Sequence, residues 1–380
     1  MIPLSEPALQ GRELEYVTDC LQSGWVSSNG EYIAHFEKAL AGLVGVKHAV
    51  ACNCGTSALH VSLVLAGVQA GDEVVVPAVT FIAPVNAVRY VDAHPVFIDC
   101  DDYCCLDVDG LRRFLAEECA EVDGRTVNVS TGRRVAAVIP VHVFGTPADM
   151  DRVADLAREH NVAVIEDASE ALGSAYKGRM CGSLAALSCL SFNGNKIVTS
   201  GGGGAILTDD LALAEGARSL TTQAKEAGIE YLHHRVGYNY RMNNVLAALG
   251  LAQVETLAER LRAKRENFAR YEHALGPAEA RRLLGQPEWS EANRWFYAYM
   301  CADAEAKERL LRDCLEADIQ ARPLWYPNHL QRPYAGMQAY RVERALWFYE
   351  RLVNLPCSVT LTPEEVTRVA EVILGSSPSH

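Results

Sequence analysis

The chain has 380 residues, enough for two domains or for one large domain with an appendage. Hydrophobic residues make up 49% and charged residues 22%, a globular balance that excludes a disordered or fibrous chain. A formal net charge of -13 excludes broad contact with nucleic acid or anionic membrane, though a local positive pocket can still take a small anion.

The opening stretch MIPLSEPALQGRELEYVTDC has no basic segment followed by an apolar one, and no later run is long enough to span a bilayer. A cytoplasmic protein is expected. The 12 cysteines fall at irregular intervals, many inside apolar runs where a thiol behaves as a small hydrophobe. The close sets Cys52/Cys54 and Cys100/Cys104/Cys105 have no second pair at zinc-like spacing, so no metal site is expected.

Over the first two thirds of the chain, short apolar runs alternate with helix-period segments: EVVVPAV, HPVFIDC, RVAAVIPVHVF, VAVIEDA, LSCLSF and GGAILTDD. Continuous rather than alternating hydrophobicity marks strands buried on both faces, and intervening segments such as LRRFLAEECA and MDRVADLAREH supply helical crossovers. The expectation is an α/β domain with a central, mostly parallel sheet. EVDGRTVNVSTGRR interrupts the rhythm and reads as an inserted surface hairpin. A long helix from Val245 to about Leu275 follows, then a strand in RWFYAYMCA, an amphipathic helix in AKERLLRDCLEA and a Pro-containing stretch ARPLWYPNHLQRPY. These predict two units, residues 1–250 and a smaller C-terminal α+β unit, 251–380, that begins with the bridging helix.

Lys196 lies between the strand ending at Ser191 and the glycines of GGGGAILTDD. A phosphate-binding P-loop places its lysine after the glycines, and a dinucleotide fingerprint runs from its glycines into a helix; neither context holds here. Other segments give the lysine a setting. VIEDASEA ends a buried strand with Asp167, CNCGTSALH offers Gly55, Thr56 and Ser57 at a helix start suited to a phosphate, and Phe81 stands just past another strand end. Lysine, carboxylate, phosphate cradle and aromatic platform are what pyridoxal phosphate requires. A lysine amine condenses with its aldehyde, and a carboxylate holds the proton on its ring nitrogen.

With CGTSALH, VIEDASEALGSAYKG, SFNGNKIVTSGGGG, VGYNYRMNNVLAALG and ARPLWYPNHLQRPY in place over nearly the whole length, the chain resembles the DegT/StrS-type nucleotide-sugar aminotransferases. These are pyridoxal-phosphate enzymes of the aspartate aminotransferase fold (fold type I). The resemblance implies Lys196 as the Schiff-base lysine and acid/base, Asp167 as partner of the ring nitrogen, and Phe81 stacked on the ring. It implies Thr56, Ser57 and Ser191 on the phosphate, with Gly55 allowing close approach. Asn239 would reach the neighbouring subunit's phosphate, which implies a homodimer. Glu170 departs from the His or Gln of many relatives near the cofactor's phenolic oxygen; it is either protonated or turned toward substrate. Trp25, Trp325, Tyr326 and His329 are candidates for the sugar-nucleotide pocket.

EDASEALGS, the inserted hairpin and NGNKIVTSGGGG are most similar to a LegC-like subgroup. That likeness implies amine transfer from glutamate to C4 of a UDP-linked 2-acetamido-4-keto-2,6-dideoxyhexose. The alternatives are a GDP- or dTDP-linked 4-keto or 3-keto deoxysugar, another reaction on the same fold, such as that of a lyase or racemase, and a non-catalytic cofactor-binding regulator.

Overall fold

The computed structural model describes residues 1–226, 228–280 and 282–376, so residues 377–380 of the expected second unit lie outside the described residues. An eight-stranded sheet forms the centre, in the order 48–52, 204–208, 187–191, 163–167, 135–138, 73–77, 94–98 and 339–340. Strand 204–208 runs antiparallel to both its neighbours, and every other pairing is parallel. The consequence for function is positional. The carboxyl ends of strands 48–52, 73–77, 163–167 and 187–191, and the amino end of 204–208, all open onto one edge of the sheet.

Side-chain alternation divides the core between the sheet's two faces. Val50, Cys52, Cys189 and Ile206 point into one cluster, while Ala49, Ala51, Leu190, Ala205 and Leu207 point into another built on helices Glu31–Val44 and Asn244–Glu255. Further along the sheet, Val74, Val76 and Phe97 face the first cluster, and Val75, Val96 and Ile98 face helices Val108–Glu117 and Met150–Glu159. Burial on both sides explains why these strands are apolar throughout.

The inserted segment forms the expected hairpin. Strands 119–122 and 125–128 pair antiparallel across Asp123-Gly124, whose φ values of 50° and 72° are those of a tight two-residue turn. The expected long helix is interrupted instead, with helices Asn244–Glu255 and Leu257–Ala280 meeting at Thr256. Strands 297–300, 352–355 and 322–323 make a separate antiparallel sheet; helix Ala304–Glu316 packs beside it, and helix Pro363–Ser376 packs against Ala304–Glu316 and Leu257–Ala280. Among the described residues, no helix is long and apolar enough to cross a membrane.

Candidate active site

The functional edge of the sheet is a cavity of about 390 Å³, and Gly55, Thr56, Phe81, Asp167, Glu170, Ser191, Lys196 and Trp325 all line it. Lys196 arrives there because the loop after Ser191 is anchored on either side of it. The Phe192 N–H donates to the Gly203 carbonyl at 2.9 Å, the Lys196 N–H donates to the Asn193 carbonyl at 3.0 Å, and Ile197 and Val198 sink into the core. At Gly204 the chain passes so close to the next loop that a β-carbon would sit 2.5 Å from the Cys54 carbonyl group, which only glycine permits.

The Lys196 side chain is nearly buried, with Nζ 3.5 Å from Glu170 Oε1 and 3.7 Å from the centre of the Trp295 ring system. Burial pulls the amine below the ordinary lysine range, and the Glu170 and Asp167 carboxylates only partly oppose it. Asp167 ends its strand under the cavity, where burial pushes its carboxyl up while Ser169, donating from its backbone N–H at 3.0 Å, holds it down. Among the described residues Asp167 makes no ion pair. Burial pushes Glu170 up to about 7, even though Lys196 and the Phe144 N–H, which donates to Oε2 at 2.9 Å, both draw it down.

The anion cradle is the start of helix Gly55–Leu65. Among the described residues, the backbone N–H groups of Gly55 and Thr56 and the hydroxyls of Thr56 and Ser191 have no protein hydrogen-bond partner. Ser57 does not line the cavity: it is buried, and its N–H donates to Cys54 Sγ at 3.4 Å as part of the helix cap. Phe81 is 52% exposed over the cavity, a large aromatic face open to a flat ligand.

Neighbouring residues complete the wall. Trp295 stacks on Phe296 with centroids 4.0 Å apart, and Trp325 stacks on Phe144 at 5.3 Å. Phe144 sits in the left-handed region, φ 57°, rare for a residue of its size. Behind it, buried Asn293 ties the wall together. Its Nδ2 donates to the Glu170 and Leu172 carbonyls at 2.8 and 3.0 Å, and its Oδ1 accepts the Trp295 N–H at 2.9 Å. A β-carbon on Gly145 would meet that Oδ1 at 1.9 Å. Sequence reasoning missed Asn293, Trp295 and Phe144. The expected strand RWFYAYMCA begins only at Tyr297, which leaves Trp295 and Phe296 at its mouth.

Three residues expected in the sugar-nucleotide pocket lie outside this cavity, and Asn239, expected to serve a neighbouring subunit, lies outside it too. Trp25 lines a separate surface depression with Tyr32 and Asn244, Tyr326 packs edge-on against Tyr349, and the His329 ring lies 6.2 Å from that of Phe97. Trp325 lines the cavity, whereas the next residue, Tyr326, does not. Asn239 is exposed, held through its carbonyl by Asn53 Nδ2 at 3.4 Å. The buried Glu166 serves the scaffold: it accepts from His142 Nε2 at 2.9 Å, Gly182 and Leu184 N–H at 2.5 and 2.8 Å, and the Ser188 hydroxyl at 2.6 Å. His142 Nδ1 accepts the Ala148 N–H at 3.1 Å, which leaves the ring proton on Nε2 facing Glu166.

An amine of lowered basicity, an unpaired buried carboxyl, unsatisfied helix-start donors and an open aromatic face fit pyridoxal phosphate, and with the fold they define a fold type I pyridoxal-phosphate enzyme. The model of the DegT/DnrJ/EryC1/StrS aminotransferase family matches residues 7–374, and the chain belongs to that family. It is 38% identical to the GDP-perosamine synthase of Caulobacter vibrioides, over 97% of this chain and 96% of that one. The GDP-perosamine synthase of Escherichia coli O157:H7 is 34% identical, over 98% and 97% of the two chains. The crystal structure of the aminotransferase TlmJ from Streptoalloteichus hindustanus superposes with a TM-score of 0.89 at 29% identity, covering 99% of this chain and 98% of that one. The protein is a pyridoxal phosphate-dependent sugar aminotransferase.

Proposed function

We propose that the enzyme moves an amino group from glutamate to C4 of a 4-keto-6-deoxy nucleotide sugar. The observation that carries this reading is Lys196, a buried amine facing Asp167 and Glu170 in a cavity floored by a free helix start. When bound, pyridoxal phosphate supplies an aldehyde that carries the amino group between donor and acceptor and a ring that takes up electrons from the substrate carbon. The chain's own groups do the rest. Lys196 Nζ engages the aldehyde and moves the proton to and from the substrate carbon. Asp167 keeps the ring nitrogen protonated, Phe81 covers the ring, and Gly55, Thr56 and Ser191 hold the phosphate. Ser57 supports that cradle through Cys54. Asn239, exposed here, completes the cradle of a second subunit in a homodimer.

For the substrate, Trp325 and Phe296, with Phe144 stacked behind Trp325, offer an apolar wall suited to a deoxygenated sugar carbon. The two GDP-perosamine synthases, similar over almost their whole length, favour a GDP-linked 4-keto-6-deoxyhexose. A UDP-linked 2-acetamido-4-keto sugar is the second reading, favoured by EDASEALGS and the hairpin at 119–128.

The test is to convert the cofactor with glutamate and then add 4-keto nucleotide sugars one at a time, following the return of the cofactor absorbance. The GDP-linked sugar restores it fastest. Return with the UDP-linked sugar alone establishes the second reading, and return with neither defeats both.

A further inference from the structure

We infer that Glu170 is the proton partner of Lys196: the two side chains share one proton across the cavity, and Glu170 holds it whenever the lysine amine is neutral. The inference rests on the reading of Lys196 given above. The step is a simple exchange. The Glu170 Oε1–H bond breaks as an Nζ–H bond forms, turning a neutral pair into an ion pair and back, with no other reactant.

The geometry permits little else. Oε2 is occupied by the Phe144 N–H at 2.9 Å, so Oε1 is the oxygen presented to Nζ, 3.5 Å away. The Phe144 N–H holds the Glu170 carboxyl in this orientation, and Asn293 fixes the Glu170 backbone beneath it. Charge counting points the same way. The titratable groups facing Glu170 are Lys196 from the lysine loop, Asp167 from the adjoining strand and the buried Cys105 thiol. His142 and Glu166, nearby on the sheet, are bonded to each other. With Asp167 ionised, a proton on Lys196 leaves three charges out of water and a proton on Glu170 leaves one, and each buried charge is costly, so the Glu170 carboxyl competes for the proton. Asp167 has the Ser169 donors; Glu170 has one amide and the lysine. Burial moves the carboxyl up to about 7 and the amine down, the directions of a neutral pair.

The experiment uses cofactor-free full-length protein labelled with ¹³C at glutamate side-chain carboxyls, titrated by NMR. One carboxyl signal titrates near pH 7, disappears in Glu170→Gln, and moves to higher pH in Lys196→Met, where the cation is gone. Should Glu170→Gln not fold, the shift in Lys196→Met identifies the signal. In protein loaded with cofactor, Glu170→Gln slows amine uptake from glutamate on the order of tenfold and loses the inflection near neutral pH, while Glu170→Asp keeps the inflection. A Glu170 signal that stays ionised down to the ordinary glutamate range, near 4.5, overturns the inference. Failure to take up cofactor or to react with glutamate would instead overturn the aminotransferase reading and leave the carboxyl titration untouched.

Discussion

Lys196 Nζ rests 3.7 Å from the centre of the Trp295 ring system, so the amine meets an aromatic face on one side and the Glu170 carboxyl on the other. A π-face stabilises the charged amine by about 0.5–2 kcal/mol. Replacing Trp295 with Leu removes that support and drops the amine's basicity further. The midpoint for chemical labelling of Lys196 in cofactor-free protein shifts down by roughly 0.4–1.5 pH units, because 1.36 kcal/mol corresponds to about one unit. Competitive acetylation with mass-spectrometric readout measures it; an upward shift refutes the role given to the indole.

Asn293 joins the Glu170–Leu172 stretch to the Trp295 backbone with both ends of its amide. Asn293→Ala leaves buried carbonyl and N–H groups without partners and costs about 3 kcal/mol of stability. Urea unfolding reads this as a lower midpoint with an unchanged slope.

Glu166 shows the opposite behaviour to Glu170 on titration. Burial pushes its carboxyl up, but bonds from His142, Gly182 and Ser188 outweigh this and leave it below the ordinary 4.5. A group depressed in the folded state contributes stability that is present above its unfolded value and lost as pH falls through the folded one. Wild-type protein therefore loses stability as pH drops below about 4.5, and in Glu166→Gln that loss is shallower on a baseline about 3 kcal/mol lower at neutral pH. Thermal unfolding across pH checks both slopes.

Glu170 is raised by burial, so its contribution is intact below 4.5 and is lost as pH rises through about 7. Lys196, depressed by burial, likewise opposes folding while the unfolded chain carries its charge. The double variant Lys196→Met with Glu170→Gln removes both penalties, and cofactor-free protein gains on the order of 1–3 kcal/mol at pH 8 while losing cofactor attachment. Equal or lower stability in differential scanning calorimetry contradicts the pair's cost.

The parts legible in the sequence were those encoded locally. Strands such as 73–77 and 163–167 announce themselves by unbroken apolar runs, and Lys196, Asp167 and Gly55 by their places at strand ends. Strand 48–52, HAVAC, is built largely of small residues that do not stand out from their surroundings, yet it supplies the turn that becomes the anion cradle. Trp295 and Asn293 could not be found the same way. Their importance comes from tertiary approach, a loop about 100 residues downstream closing over Lys196 through the Trp295 Nε1 bond to the Asn195 carbonyl at 2.7 Å. The placing of Tyr326 against Tyr349 and the interruption at Thr256 within the long apolar helix pattern are likewise not encoded locally.

The central claim is that Lys196 engages the cofactor. The chain has other buried lysines, Lys264 and Lys307, and Lys264 is a built-in control: its Nζ is taken up by the carbonyls of Trp295, at 2.7 Å, and Cys357. Incubating the full-length protein with pyridoxal phosphate, reducing with borohydride and mapping the peptides by mass measures attachment directly. The pyridoxyl group is expected on the peptide carrying Lys196 and on no peptide carrying Lys264; its appearance on another lysine, with Lys196 unmodified, would contradict the account.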